Sequence, residues 1–252
     1  MIKKTIVIIG AGGLAREVKN LIEDINRFES KYEFLGYLVS DLKKLTKYDS
    51  HDEILGEFDW LSEHKFDFNH RVDNRDAVFE AVAKLVRDLR VLCLEFGVFE
   101  GASMQYWSHS LKHPETKLHG FDSFEGLAED FGSSGPYPKG TFNVSGVVPE
   151  IDDNRVRFFK GWFDQVLPTY SVPKHDVLVI TMDADLYSST ICVLRYLRPY
   201  IKAGTFIYFD DMSRPEHEPR AFAEFMEESG LRFQPVCADQ SLNCVFFQCV
   251  ES

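Results

Sequence analysis

The hydrophobic pattern of roughly the first 60 residues predicts a small unit of strands and a helix. Lys4–Ile9 is a β-branched run that ends in glycines, and Ala15–Ile25 then carries apolar residues at helical spacing. Phe34–Val39 is a second strand-like run that leads into Asp41, and Ile54–Gly56 is a short third run. This order predicts a Rossmann-like βαβ unit.

From Arg75 onward, apolar runs alternate with amphipathic stretches in the order expected of a parallel sheet. The tail differs, because Arg232–Cys237 and Cys244–Val250 flank a turn-rich hexapeptide and predict an antiparallel hairpin. The other predicted strands are Val91–Phe96, Lys117–Phe121, Val156–Phe159, Val177–Met182 and Thr205–Phe209, and the predicted helices are Arg75–Asp88, Ala102–Leu111, Ser189–Tyr200 and Glu218–Ser229.

These elements together predict an α/β fold. Its main part is a doubly wound, mostly parallel sheet closed by the terminal antiparallel hairpin, and the small Rossmann-like unit precedes it. The segment Ser62–Asn74 is polar and separates the two parts. We therefore place one domain at residues 1–65 and the other at residues 66–252.

Charge and cysteine content narrow the classes of partner. The formal net charge of -12 leaves no broad cationic surface for a nucleic-acid backbone, so we expect no nucleic-acid partner. No apolar stretch approaches the roughly 20 residues of a membrane-spanning helix, and the start lacks the features of a signal peptide. The five cysteines form no C-x-x-C pair, so we expect reduced thiols and a cytoplasmic protein.

A glycine-rich turn follows the strand Val91–Phe96. Glu95 precedes Gly97 and Gly101, and Ser103 lies in the first turn of the next predicted helix. Glycines let the backbone approach a ligand closely. A glutamate before such a turn favours a cationic ligand over phosphate, and S-adenosylmethionine carries an amino group and a sulfonium. These residues are candidate contacts to S-adenosylmethionine, and a purely structural packing turn is the alternative.

Two later segments extend the candidate cofactor site. Asp122 and Ser123 end the next strand, about 20 to 25 residues after the glycine turn, where an acidic side chain can take ribose hydroxyls. A capping carboxylate is the alternative for Asp122. Gly161 and Trp162 follow the strand after that, and Trp162 either lies against the adenine or belongs to the core. The long stretch Phe131–Pro149 is typical of a loop that covers an active site, or else is a surface insertion.

Four carboxylates stand at the ends of two later strands. Asp183 and Asp185 end one strand and Asp210 and Asp211 end the other, so all four are expected at one edge of the sheet. Like charges brought together are costly unless a cation neutralises them, and oxygen ligands suit Mg²⁺ or a similar divalent ion. We predict a metal site here, with Asp183, Asp185 or His217 taking the proton from a substrate hydroxyl. At least one of the acids is expected to be a cap or a solvated loop acid instead.

Together these blocks resemble the macrocin O-methyltransferase family. The resemblance implies a class I methyltransferase fold and Mg²⁺-dependent O-methylation of a sugar hydroxyl on a natural product or glycan precursor, with S-adenosylmethionine as donor. It rests on the acidic glycine-rich turn, which begins at Leu94, and on Asp122–Leu127 (DSFEGL), Lys160–Phe163 (KGWF), Asp183–Thr190 (DADLYSST) and Asp210 with Asp211.

Carried over residue by residue, the resemblance makes Asp183, Asp210 and Asp211 the metal ligands. Asp185 lies beside them, and the choice between Asp183 and Asp185 stays open. Asp183 is also a candidate cofactor contact. The chain departs from the family pattern between Leu127 and Arg155, so the resemblance does not name the acceptor.

The amino-terminal run Ile8–Val18 resembles the nucleotide-sugar-binding domain that begins sialic acid and bacillosamine acetyltransferases. Its candidate nucleotide-binding residues are Gly10, Gly12, Gly13 and, after the second strand, Asp41. The usual histidine of that pattern is absent and no hexapeptide-repeat part follows, so acetyl transfer is not implied. The same glycines fit a fingerprint for NAD or FAD, and a unit that only packs or dimerises is a third interpretation.

The leading hypothesis is an Mg²⁺-dependent sugar O-methyltransferase whose amino-terminal unit binds or docks a nucleotide-linked substrate. Its partner is then a small-molecule sugar or glycoside, and the sequence leaves a homo-oligomer open. One alternative is a non-catalytic nucleotide-sugar-binding or assembly protein with a degenerate methyltransferase domain. The other is a nicotinamide-dependent oxidoreductase, which lacks a legible Tyr-Lys or Cys-His arrangement beside its glycine turn.

Overall fold

The chain is described by a computed structural model that covers residues 4–9, 13–28, 32–39, 54–57, 66, 68–131 and 137–251. Its contacts divide it into two compact units, Met1–Glu63 and His64–Ser252. The larger unit contains the candidate catalytic, cofactor-binding and metal-binding residues. No helix in the described ranges has the length and apolar character needed to cross a membrane.

The amino-terminal unit is a three-stranded parallel sheet with one helix. Its elements are β1 (Lys4–Ile9), α1 (Gly13–Phe28), β2 (Tyr32–Val39) and β3 (Ile54–Glu57), and the sheet order is β1-β2-β3. The predicted βαβ pattern is therefore present. Among the candidate nucleotide-binding residues, Gly13 begins α1, whereas Gly10, Gly12 and Asp41 lie outside the described residues.

The larger unit alternates strands with helices along most of its length. The strands are β4 (Arg71–Val72), β5 (Val91–Phe96), β6 (Lys117–Asp122), β7 (Val156–Lys160), β8 (Val177–Met182), β9 (Phe206–Phe209), β10 (Arg232–Asp239) and β11 (Val245–Glu251). The helices are α2 (Arg75–Val86), α3 (Ala102–Ser110), α4 (Phe163–Val166), which runs into a 3₁₀ turn at Leu167–Thr169, α5 (Tyr187–Leu197) and α6 (Glu218–Ser229).

The eight strands form one twisted sheet in the order β4-β10-β11-β9-β8-β5-β6-β7. The strands β7, β6, β5, β8 and β9 are mutually parallel, and β11 runs antiparallel to both β9 and β10. The terminal hairpin predicted from the sequence is thus β10–β11. The chain leaves β5 towards β6 and β7 and later returns to the other side of β5 with β8, so the order reverses between β5 and β8. In open α/β sheets this switch point is where ligands bind.

The central strands are apolar because both of their faces are covered. All six residues of β5 and all four of β9 are buried. Aromatic side chains from helices pack on them, and Phe79 of α2 lies 5.3 Å from Trp107 of α3 and 4.7 Å from Tyr208 of β9, centroid to centroid. This packing holds the helix ends in place around the carboxyl edge of the sheet.

Local hydrogen bonds set the ends of two helices. The helix expected at Ser189–Tyr200 is α5, which begins earlier because the Leu186 carbonyl already accepts from the Thr190 N–H at 2.9 Å. It ends at Leu197, whose carbonyl accepts from the Tyr200 N–H in a tighter turn. At the start of α2, the Asn74 side chain accepts from the Ala77 N–H at 3.0 Å and caps the helix, so that Arg75 is its first residue.

Candidate functional site

A cavity of about 780 Å³ opens at the carboxyl edge of the sheet, beside the switch point between β5 and β8. This volume falls in the range of small-molecule sites. Most of the candidate site residues line it: Gly97, Asp122, Ser123, Gly161, Trp162, Asp183, Asp185, Asp210 and Asp211. Among the residues that the structure describes, Glu95, Gly101, Ser103 and His217 are not part of this lining.

The turn after β5 requires a glycine at its first position. Gly97 has φ +89°, and a Cβ there would lie 1.7 Å from the Asp183 carbonyl oxygen. The Gly97 N–H donates to the Phe121 carbonyl at 3.1 Å, and the Asp183 N–H donates to the Phe96 carbonyl at 2.9 Å. The ends of β5, β6 and β8 are therefore joined by backbone contacts that leave no room for a side chain.

Asp122 holds the glycine-rich turn in shape. One carboxylate oxygen accepts from the Val98 N–H at 2.7 Å and the Phe99 N–H at 2.9 Å, and the other accepts from the Phe124 N–H at 2.7 Å. A carboxylate offers about four acceptor positions, so roughly one is left for a ligand hydroxyl. Asp122 therefore caps the turn and also lines the cavity, and its contact with a ribose hydroxyl stays a prediction.

Glu95 lies behind the turn instead of inside the cavity. Its side chain is fully buried, one oxygen accepts from the Ser103 hydroxyl, and the other has no hydrogen-bond partner. Burial raises the pKa of Glu95 to about 8. Gly101 is also buried and has φ +84° at the start of α3. Glu95 and Gly101 are buried beside the turn and lie outside the cavity lining. A direct contact between Glu95 and a cationic ligand stays a prediction.

The segment after β7 forms another wall of the cavity. Gly161 has φ +144° and donates its N–H to the Asp122 carbonyl at 2.9 Å, which places this segment beside the glycine-rich turn. Trp162 follows as the N-cap residue of α4 and is half-buried at the cavity. Ser123, on the adjacent wall, accepts from the Glu125 N–H at 3.1 Å.

The structure brings the four predicted carboxylates to one cavity and adds a cation that was not predicted. Arg75 Nη2 lies 2.8 Å from Asp183 Oδ2, and Arg75 Nε lies 3.3 Å from Asp210 Oδ1. Asp185 and Asp211 line the same cavity. The sequence pattern showed Arg75 only as the first residue of an amphipathic helix, more than a hundred positions from Asp183.

Burial and mutual repulsion shift the titration of these acids. The pKa of Asp183 is raised to about 7, first by burial and then by the charge of Asp210, with Arg75 opposing both. The pKa of Asp185 is raised to about 8, again first by burial. Burial also raises the pKa of Asp211. Cavity carboxyls with raised pKa values are candidates for proton transfer near neutral pH.

Glu218, the first residue of α6, is a further site residue that the sequence did not single out. Its side chain is completely buried. One oxygen accepts from the Asp211 N–H at 3.0 Å and the other accepts from the Ala184 N–H at 3.3 Å. Glu218 therefore ties the acidic turn after β8 to the acidic turn after β9. The only sequence signal was an acidic residue in the first turn of a helix, which is common.

His217 lies outside the cavity lining that holds the four carboxylates. Its Nδ1 accepts from the Tyr187 N–H at 3.3 Å, and its Nε2 lies 3.2 Å from the Phe131 carbonyl oxygen. The ring also stacks on Phe131 with centroids 4.3 Å apart. Both ring nitrogens are therefore engaged, so we do not carry His217 into the proposed chemistry.

Four aromatic residues that contact one another form an aromatic wall of the cavity. We use this name for Phe99, Phe131, Tyr137 and Phe142, which line the cavity. Phe142 lies 6.1 Å from Phe99 and 5.8 Å from Tyr137, and Tyr137 lies 5.5 Å from Phe131. Phe99 and Phe142 have positive φ values, 51° and 66°, which are unusual for bulky residues and point to a positional requirement. Part of the stretch Phe131–Pro149 therefore borders the cavity, and residues 132–136 lie outside the described residues.

The predicted Mg²⁺ site is not supported by the arrangement of these residues. Asp183 and Asp210, two of its three predicted ligands, are paired with Arg75. In the described part of the chain, no group of three or more His, Cys, Asp or Glu side chains is arranged to hold a metal ion. The donor chemistry suits a divalent ion, but the guanidinium pairs with one oxygen of Asp183 and one oxygen of Asp210, and such an ion would draw its ligands from these same carboxylates.

The strand order, the glycine-rich turn and the cavity at the switch point define a class I methyltransferase fold. The solved structure of the O-methyltransferase NovP shares this fold with a TM-score of 0.53 and 25% identity, over 71% of this chain and 78% of that one. The fold class predicted from the sequence is confirmed. The chain belongs to the macrocin-O-methyltransferase (TylF) family, whose model matches residues 59–248.

Two curated relatives match shorter stretches. The 8-demethyl-8-(2,3-dimethoxy-alpha-L-rhamnosyl)-tetracenomycin-C 4'-O-methyltransferase of Streptomyces olivaceus is 42% identical over 23% of this chain and 22% of its own length. The demethyldecarbamoylnovobiocin O-methyltransferase of Streptomyces niveus is 42% identical over 25% of this chain and 23% of its own length. The chain thus spans about a quarter of the length of these relatives in the matched regions.

Proposed function

We propose that this chain is an S-adenosylmethionine-dependent O-methyltransferase that acts on a hydroxyl of a sugar or glycoside. The observation that carries the proposal is the single cavity in which a cofactor-type turn, held by Asp122, faces a set of carboxylates at the next strand ends. The names of the two curated relatives support an acceptor that is a glycosylated natural product. A glycan precursor or a nucleotide-sugar fits the same chemistry.

The residues present suit the methyl donor. Bound S-adenosylmethionine supplies an electrophilic methyl group on a sulfonium. Gly97 lines the cavity at the end of the glycine-rich turn, and Asp122 retains an acceptor position for a ribose hydroxyl. Trp162 lies at the cavity on the neighbouring segment and is the candidate to contact the adenine.

Asp185 is the best-placed general base of the set. It lines the cavity, and its backbone has φ +59°, which is unusual for a residue other than glycine and is common at functional sites. In the proposed reaction the Asp185 carboxylate takes the proton as the acceptor oxygen forms its bond to the methyl carbon, and the carbon–sulfur bond breaks with the electron pair staying on sulfur. Asp183 is tied to Arg75 and orients the site.

The aromatic wall supports a sugar-bearing acceptor. Phe99 and Phe142 are both nearly half exposed at the cavity, so they offer apolar faces against which the C–H face of a sugar ring packs. The carboxylates that line the same cavity can accept hydrogen bonds from hydroxyls. A ring with one apolar face and several hydroxyls matches both surfaces.

The test is titration calorimetry with S-adenosylmethionine on the wild-type chain and on Asp122→Asn. The substitution replaces one carboxylate oxygen with an amide nitrogen, which cannot accept the backbone N–H bonds that this oxygen receives, so we expect binding to weaken by about tenfold or more. Asp88→Asn makes the same charge change at an exposed position before β5, at the other edge of the sheet, and should bind like wild type. Absence of binding by wild type would refute the proposal.

A second assay identifies the acceptor class. Transfer of a labelled methyl group to nucleotide-sugars and to glycosides should be detectable with wild type and lost with Asp185→Asn, while S-adenosylmethionine binding by that variant persists. Binding of NAD without binding of the methyl donor would favour the oxidoreductase alternative. Binding of a nucleotide-sugar without transfer would favour the non-catalytic one.

For the amino-terminal unit we propose binding or docking of a nucleotide-linked substrate, which the parallel βαβ arrangement supports. The homo-oligomer and the cytoplasmic location stay predictions from the sequence, whereas the pairing of Asp183 and Asp210 with Arg75 does not support the predicted Mg²⁺ dependence. Calorimetry with a nucleotide-sugar tests the proposed binding by the amino-terminal unit. We compare the wild-type full chain with the double variant Gly10→Val, Gly12→Val. Equal affinities for the two proteins would refute a role for the amino-terminal glycines.

A further inference from the structure

Arg75 occupies the position between carboxylates where a divalent cation was expected. Its guanidinium reaches Asp183 through Nη2 at 2.8 Å and Asp210 through Nε at 3.3 Å. These two acids lie on different strand ends, β8 and β9, which are adjacent in the sheet. The guanidinium hydrogen-bonds to Asp183 and forms an ion pair without a hydrogen bond to Asp210, so its charge links the two acidic turns.

The rest of the environment holds the guanidinium in that position. Its central carbon lies 5.3 Å from the Phe79 ring and 5.8 Å from the Tyr208 ring, both within range of a cation–π contact. The Tyr208 hydroxyl donates to the same Asp210 oxygen that pairs with Arg75. Rings on helix α2 and strand β9 thus fix the side chain and one of its partners together.

The place of Arg75 on its helix is costly without these partners. Arg75 is the first residue of α2, next to the capping residue Asn74. The amino end of a helix carries partial positive charge, so a cation there is disfavoured and an acid is preferred. The compensation comes from Asp183 and Asp210, which are distant in sequence, and this indicates that the site requires a cation at this point.

We infer that Arg75 is the resident cation of this methyltransferase site and takes the place of a divalent metal ion between Asp183 and Asp210. A divalent ion gains full access to these two carboxylates only when the guanidinium is removed. Arg75 is then a positioning residue that keeps the two acidic turns at a fixed separation. The inference concerns the charge of the site, and it holds or fails independently of the proposed acceptor.

The experiment measures binding of Mn²⁺, a spin-active probe for Mg²⁺ sites, by electron paramagnetic resonance with the full-length chain. We compare wild type with Arg75→Gln, which keeps a long polar side chain and removes the charge. Arg87→Gln, an exposed position at the other end of α2, is the matched control. The double variant Arg75→Gln with Asp210→Asn tests whether a newly formed site uses the carboxylates described above.

The expected result is that Arg75→Gln binds Mn²⁺ at least about tenfold more tightly than wild type and Arg87→Gln, and that the double variant loses the gain. Equal affinity of wild type and Arg75→Gln, whether both bind or neither does, would overturn the inference. If Arg75→Gln proves unfolded by circular dichroism, wild type alone decides: one tight Mn²⁺ site that Asp210→Asn abolishes overturns the inference, and no such site supports it.

Titration of the same proteins with S-adenosylmethionine separates this inference from the proposed function. If the wild-type protein does not bind S-adenosylmethionine, the proposed function is refuted. The comparison of Mn²⁺ affinities between wild type and Arg75→Gln still decides whether Arg75 is the resident cation. Where methyl transfer is measurable, the wild-type rate should be unchanged by excess EDTA, whereas Arg75→Gln should respond to added Mn²⁺. A wild-type rate abolished by EDTA and restored by Mg²⁺ would count against Arg75 as the resident cation.

Discussion

Replacing Glu218 with Gln removes one acceptor from a buried link between the two acidic turns. The Glu218 carboxyl receives the Asp211 N–H at 3.0 Å and the Ala184 N–H at 3.3 Å, and no part of its side chain is exposed. An amide of the same size has one oxygen and one NH₂ group. The oxygen can satisfy one N–H, and the NH₂ group faces the other without accepting from it.

The magnitude follows from leaving one backbone donor buried and unpaired. Such a group costs about 1–3 kcal/mol, so the free energy of unfolding of Glu218→Gln should fall by about that amount. Burial raises the pKa of Glu218 well above its usual range. Glu218→Ala removes both acceptors and should cost about twice as much.

The functional consequence is predicted to be selective. The turn that carries Asp185 loses one of its anchors, so the turnover number for methyl transfer should fall by about tenfold or more, because small displacements of a catalytic group reduce rates strongly. The glycine-rich turn is held by Asp122 and not by Glu218, so the dissociation constant for S-adenosylmethionine should change by less than about threefold.

The assays are urea unfolding followed by circular dichroism, titration calorimetry with the methyl donor, and methyl transfer. Glu227→Gln makes the same substitution at an exposed position of α6 and should match wild type in all three. Stability and turnover of Glu218→Gln equal to those of Glu227→Gln would refute the reasoning. So would a loss of methyl-donor binding as large as the loss of turnover, since that would indicate general unfolding.

Three further predictions concern other parts of the larger unit. Gly97→Ala should lower stability by about 3 kcal/mol or more and abolish methyl-donor binding, because its Cβ would lie 1.7 Å from the Asp183 carbonyl oxygen. Burial lowers the pKa of His119 from 6.5 to about 4. The unfolded chain therefore binds this proton more readily, and stability should fall by up to about 3 kcal/mol as the pH drops from about 6.5 to 4, a loss absent in His119→Gln. Phe142→Ala should raise the KM for a sugar acceptor by about tenfold with little change in methyl-donor affinity.

Each of these three substitutions has a matched control variant. Gly140→Ala also sits at a positive φ but in open space, so it should be far milder than the change at Gly97; equal effects would show that the close approach is unimportant. His70→Gln changes an exposed histidine and should keep the wild-type pH dependence, and the same pH slope in all three proteins would contradict the role of His119. Val147→Ala removes exposed apolar surface from the same loop region, and an equal rise in KM there would count against the aromatic wall.

The order of elements was predictable because each strand is bounded by residues that end it. Val91–Phe96 and Val177–Met182 were predicted with the bounds that the structure has, since apolar runs stop at Gly97 and Asp183. Parallel strands place their carboxyl ends at one edge. The convergence of the four aspartates on one cavity was therefore foreseeable from the sequence.

The roles of His217 and Glu218, which are adjacent in sequence, were less predictable. His217 follows the Asp-rich turn closely, and that proximity suggested a base, but its ring is held by Tyr187 and Phe131. Glu218, the next residue, looked like an ordinary acid at a helix start, yet it is the buried acceptor for both acidic turns. One position along a helix decides which side chain is buried, and a sequence pattern does not resolve that.

The sequence by itself determined the fold class and the edge of the sheet at which the chemistry lies, because hydrophobic periodicity and strand-ending residues are local properties of the chain. Only the tertiary structure decided how the charges there are balanced. Arg75 reaches Asp183 and Asp210 across more than a hundred residues. Such a contact depends on the packing of α2 against the sheet, and a cation that neutralises a buried acidic site acts over a few ångströms of space, whatever its distance along the chain.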